Sequence, residues 1–128
     1  MDTPIMNVLL WILQAVLAAM FAVVATMKAL LPKEKLEPGM PWTADFSSGA
    51  VRFIGLAELI GALGLVLPAA TGIAPILTPL AATGLALIMA LAAVTHLRRE
   101  EPAAIALNAV LFIAAAVVAW GRFGPYAL

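Results

Sequence analysis

Three stretches of this chain carry no Asp, Glu, Lys or Arg: residues 3–27, 59–97 and 102–121. A membrane-crossing helix needs roughly 20 predominantly apolar residues, so every one of these runs is a span or part of one. The middle run is punctuated by Pro68, Gly72 and Pro75, which divide it into two helices joined by a short turn. With 65% hydrophobic and 11% charged residues, 128 residues cannot supply the polar surface of a soluble domain. The expected fold is therefore all-α: a four-helix transmembrane bundle, up-down-up-down, forming one membrane domain over residues 1–128. Its spans are expected at about 5–31, 50–68, 75–97 and 102–120. The first span reads as retained rather than cleaved, because Asp2 stands where a signal peptide carries basic residues and the lysines follow the apolar run.

The few charges exclude several functions and set an orientation. Seven basic and seven acidic residues cancel, so no basic excess points to nucleic acid. Without cysteine the chain makes no disulfide, thiolate nucleophile, iron–sulfur ligand or Cys-type zinc site. Its one histidine would need a second subunit to build a bis-histidine haem, so no cofactor is expected from this chain alone. Lys28, Lys33, Lys35, Arg52, Arg98 and Arg99 flank the first and third connections, and only Arg122 flanks the other face. By the positive-inside rule, those two connections lie in the cytoplasm of a multi-pass cell-membrane protein and both termini lie on the non-cytoplasmic side.

The second span holds the residue hardest to explain by packing alone. Counted from about Ala50 at roughly 1.5 Å per residue, Glu58 lies ~12 Å deep. A charge at the centre of a span costs about 2.5–3.5 kcal/mol on insertion scales, so the carboxylate must face protein, find a partner or be protonated. Its helical neighbours Ile54, Gly55, Gly61 and Ala62 include small residues that admit a second helix. Arg52, six residues away, is off the Glu58 face of the same helix, so any partner comes from another span. Glu58 is the expected reactive residue.

Around it, depth sorts the remaining polar side chains. Asn108 falls ~9 Å from the same boundary and Gln14 close to the midplane, while Lys28, Arg52 and His96 rim the same half. Lys28 reads first as a residue whose stem carries its ammonium to the headgroups, the alternative being one turned inward to meet Glu58. Arg98 and Arg99 read as topology determinants, His96 as an interfacial residue and Asn108 as an interhelical hydrogen-bonding group; the functional alternative makes Lys28, Arg52, Arg98, His96, Asn108 and Gln14 the ligand-binding set. Residues 32–49, with Pro32, Pro38, Gly39 and Pro41, read as a loop whose Trp42 and Phe46 anchor in the headgroup layer. Asp45, Ser47 and Ser48 are candidate caps for the second span. No cluster of metal-ligating residues is expected.

The pattern Gly55-x-x-Glu58-Leu59-x-Gly61-x-x-Gly64-Leu65-x-Leu67-Pro68, then Thr71-Gly72 and Pro75, then His96-x-Arg98, resembles the DoxX-like family of small four-helix membrane proteins. That resemblance implies a four-helix bundle and an association with redox biology: founding members resemble the small subunit of a thiosulfate:quinone oxidoreductase, others belong with membrane redox-defence complexes, and distant relatives act as receptor-assembly chaperones or cargo receptors. Two functions of different class follow as expectations. In one, the chain is an accessory subunit of a membrane redox system that binds a quinone-like lipid: Glu58 exchanges a proton, His96, Asn108 or Gln14 bonds the carbonyl oxygens, and a partner subunit carries the electrons. In the other, it is a non-catalytic assembly factor in which Glu58 and the small-residue strip grip a membrane client. Transport by four short spans would require a homo-oligomer.

Overall fold

The computed structural model describes residues 3–128; Asp2 and its bearing on cleavage lie outside them. Four long helices dominate: α1 (Thr3–Leu30), α3 (Ser48–Thr71), α4 (Leu77–Arg98) and α5 (Pro102–Phe123), with a one-turn helix α2 (Lys33–Leu36) and a 3₁₀ turn (Pro41–Asp45) between the first two of them. Each long helix is long and apolar enough to cross a membrane. The shortest have 22 residues, which at ~1.5 Å per residue reach about 33 Å, the thickness of a bilayer's hydrocarbon core.

The closest pairings are α1 with α3 and α4 with α5; α3 also packs on α4, and α1 meets α5 least. Leu17 and Phe21 of α1, Ala62 and Leu65 of α3, Ala82, Leu85 and Met89 of α4, and Ala115 and Val118 of α5 fill the interior. Outward, Phe53, Ile60, Leu87, Leu91, Val110 and Ile113 are all well over half exposed. A soluble protein does not present an apolar surface of that extent, whereas lipid tails solvate it at no cost.

The sequence placed the end of the second span at Pro68, but α3 runs on to Thr71 and closes on Gly72, whose φ of 71° suits a residue without Cβ. Proline has no N–H, so Pro68 leaves the carbonyl of Gly64 without its helical donor. The hydroxyl of Thr78, from the start of α4, donates to that carbonyl at 3.0 Å. A neighbouring helix thus supplies the missing bond, as irregular backbone in a membrane requires. Pro75 lies before α4 rather than in its first turn, and Pro79 falls inside that turn.

Residues 32–49 are more ordered than the loop expected of them. Leu36 and Thr43 are fully buried, and Lys33 Nζ donates to the carbonyl of Phe46 at 2.6 Å, drawing the ends of the segment together. Of the three candidate caps, Ser47 does the capping: its hydroxyl accepts from the amide of Ala50 at 3.1 Å. Asp45 instead accepts from Arg99 at 2.6 Å, which ties this segment to the α4–α5 turn.

Candidate functional site

Glu58 meets Lys28. Nζ of Lys28 donates to Oε1 of Glu58 at 2.7 Å, with Glu58 only 1% and Lys28 8% exposed. The inward alternative therefore describes Lys28, and the headgroup alternative does not. The reason lies one helical turn before Glu58. A Cβ on Gly55 would stand 2.8 Å from the carbonyl oxygen of Ala25, from the amide of Ala29 and from Cβ of Lys28. Only glycine lets α1 come this near, and the approach brings the lysine stem within reach of Glu58 on α3. Gly61 and Gly64 face the other way, against Leu85 and Ala81 of α4. We expect Gly55→Ala to destabilise the bundle by about 1–3 kcal/mol, because the added methyl meets backbone that cannot rotate aside. Gly84→Ala, whose Cβ meets nothing within 4 Å, is the matched control in the same unfolding titration.

Two adjoining cavities flank the ion pair. One, of about 200 Å³, opens between α1 and α5 and is lined by Lys28, Glu58, His96 and Asn108 together with Phe21, Met89 and Trp42. The other, of about 330 Å³, opens between α3 and α4 past Phe53, Ala57 and Leu91 and shares Lys28, Trp42, Met89, His96 and Asn108 with the first. The polar groups sit where the two meet, and both lobes are otherwise apolar. Trp42 closes the loop end. Its ring lies 5.1 Å from Lys28 Nζ, a distance at which the aromatic face attracts the ammonium, and Phe46 packs edge-on against it at 5.7 Å. Both aromatics were expected only as headgroup anchors.

The other two polar residues of the cavity are held from behind. His96 Nδ1 lies 2.9 Å from Oε1 of Glu101, which also accepts from Nε of Arg99 at 3.2 Å. The hydrogen bond from His96, with the charge of Arg99 behind it, keeps the Glu101 carboxyl below the usual carboxylate range. Asn108 Nδ2 donates to the sulfur of Met89 at 3.3 Å, and its Oδ1 is buried without a hydrogen-bond partner among the described residues.

The remaining expected site residues lie elsewhere. Arg52 is exposed and lines a third hollow at the loop end with Lys33, Glu34 and Ser48, and this hollow touches the site only through Lys28. Arg98 is exposed and makes no polar contact among the described residues; its neighbour Arg99 makes the bridge to Asp45. Gln14 is fully buried, but its Nε2 donates to the carbonyl of Leu65 at 2.7 Å and its Oε1 accepts from Nε of Arg122 at 2.7 Å. It thus belongs to a second polar cluster toward the chain termini. There Arg122, 3% exposed, also donates to Asn7 Oδ1 at 2.8 Å and to the carbonyl of Tyr126 at 3.0 Å. From the sequence Arg122 reads as a charge flanking the other face. Gly121 is the signal that could have found the cluster: a Cβ there would collide with Leu10 at 2.6 Å, so α1 and α5 approach closely beside the arginine.

Compared with known protein families, residues 12–118 match the DoxX-like family. The chain belongs to that family. The match spans all four long helices, including Lys28, Glu58, His96 and Asn108, and with four apolar helices it makes the protein an integral membrane protein in a lipid bilayer. Comparison with curated proteins and with solved structures gives no match.

Proposed function

We propose that this DoxX-like protein is an accessory subunit of a membrane redox system and binds a quinone-like lipid in the paired cavities around Lys28 and Glu58. The observation that carries the reading is the combination of a buried ion pair with an apolar enclosure open sideways between helices. Intramembrane ionisable residues mark sites of function by default, and ligand pockets are apolar with a few convergent polar groups. A lipid-borne ring with polar substituents matches both features: its tail stays in the bilayer while its ring sits by Lys28, Glu58, His96 and Asn108. In this reading Glu58 exchanges a proton with the ring, Lys28 holds the carboxylate in place, and electrons pass to or from a partner subunit. A client-gripping role for Glu58 is less well supported, because its carboxylate already has a partner inside the bundle.

The test is what accompanies the protein. Gentle purification followed by lipid extraction and identification of bound proteins should return a quinone-like lipid and a soluble oxidoreductase. A membrane client with no such lipid would replace the proposal with an assembly role. The reading also places the cavities in the cytoplasmic half. Impermeant labelling of single cysteines introduced at Glu37 and Glu101 should find both sites cytoplasmic, with Leu128 labelled from the other side; the reverse pattern would move the site to the outer leaflet.

A further inference from the structure

The hydrogen-bonding polarity of the cavity says more about the ligand than its shape does. Asn108 Oδ1 is an acceptor with no donor among the described residues, on a residue 8% exposed that lines both lobes. The amide gains nothing by turning over, because its oxygen would then face the Met89 sulfur, which accepts but does not donate. His96 is committed in the same sense. A carboxylate only accepts, so Nδ1 carries the hydrogen that faces Glu101. Beside Asn108 Oδ1 and the carboxylate of Glu58, the cavity's side-chain donors include Lys28, which already gives one hydrogen to that carboxylate, Thr95, whose hydroxyl donates to the carbonyl of Leu91, and the indole N–H of Trp42.

A fully oxidised quinone presents carbonyl oxygens, which accept and have nothing to give. It would leave Asn108 Oδ1 facing another lone pair. A hydroquinone has the same ring but presents hydroxyl groups, each of which donates. Resting on the lipid-ligand reading above, we infer that the site selects the reduced, hydroxyl-bearing form of its ligand, with Asn108 Oδ1 accepting from a ring hydroxyl. Asn108 is then the residue that tells the two oxidation states apart. An unmet buried acceptor is expensive, and satisfying it in one ligand form but not the other separates their affinities by about tenfold. Tighter binding of the reduced form raises the midpoint potential of the bound couple, by about 30 mV for tenfold in a two-electron couple.

The experiment measures binding of a benzoquinone bearing a decyl tail, and of its hydroquinone under anaerobic conditions, to the full chain in lipid nanodiscs. The wild type should bind the hydroquinone about tenfold more tightly. Asn108→Leu, which removes the acceptor, should bring the ratio close to one, and Asn108→Asp, which keeps an oxygen in the same place, should preserve a preference. Equal wild-type affinities for the two forms would overturn the inference without touching the lipid-ligand reading, whether or not the variants fold. A preference that survives Asn108→Leu would overturn the role of Asn108. Failure of both forms to bind the wild type would remove the lipid-ligand reading and this inference with it.

Discussion

Lys28→Leu should destabilise the bundle by about 3–5 kcal/mol, the cost of stranding one member of a buried ion pair. The carboxylate of Glu58 would remain 1% exposed, between α1 and the rest of the bundle, with no other cation bonded to it among the described residues. Glu58→Leu should cost less. Lys28 lies in the last turn of α1, and once released its four-carbon stem can carry the ammonium out to the headgroups, an exit the short glutamate lacks. The double variant Lys28→Leu/Glu58→Leu should recover most of the stability, since well-packed apolar residues replace buried ion pairs at little or no cost. A thermodynamic cycle over the four proteins in a detergent unfolding titration gives the coupling directly. Additive single effects would mean that the two charges do not depend on one another. The double variant should still lose its ligand, which separates the pair's role in function from its role in folding.

Arg122→Leu should be the second most damaging change. It removes the donor that satisfies Gln14 Oε1, and one buried acceptor left unmet costs about 1–3 kcal/mol. It also frees Asn7 and the carbonyl of Tyr126, which join the start of α1 to the segment after α5. Arg122→Lys should rescue little: Nε and Nη1 bond in different directions at once, and an ammonium has a single nitrogen. Gln14→Leu/Arg122→Leu should recover part of the loss in the same titration. Ligand affinity should change little in a folded Arg122 variant, because this cluster is separate from the cavities lined by Glu58 and Asn108.

The two clusters explain what could be read from the sequence and what could not. The spans were legible because lipid makes a local demand: each long helix must carry enough apolar residues, and the charge-free runs meet that condition one stretch at a time. That Glu58 must meet a residue from another helix was legible too, since helical spacing rules out Arg52. The choice of Lys28 was not. Near a membrane boundary a lysine has two acceptable destinations, and the close approach at Gly55 that decides between them belongs to two helices at once. Arg122 hid behind the same ambiguity in reverse: rise along the axis gives the depth of a Cα, and an arginine stem can run back toward the core. Gln14 falls in the cluster with Arg122 because depth alone does not say which neighbours a helix face meets. Trp42 joined the cavity because the segment before α3 folds onto the bundle, held by Lys33 and by the Asp45–Arg99 bridge, contacts between residues far apart in the chain.

The account turns on the space around the Lys28–Glu58 pair being a ligand site rather than a packing defect. Photo-crosslinking with an azido-quinone in membranes, followed by peptide mapping, addresses it directly. Adducts should concentrate on cavity-lining residues such as Trp42, Met89 and His96, compete away with excess unlabelled quinone or hydroquinone, and disappear in Lys28→Leu/Glu58→Leu. Adducts confined to lipid-facing residues such as Ile60, Leu87 and Val110, undiminished by competitor, would contradict it.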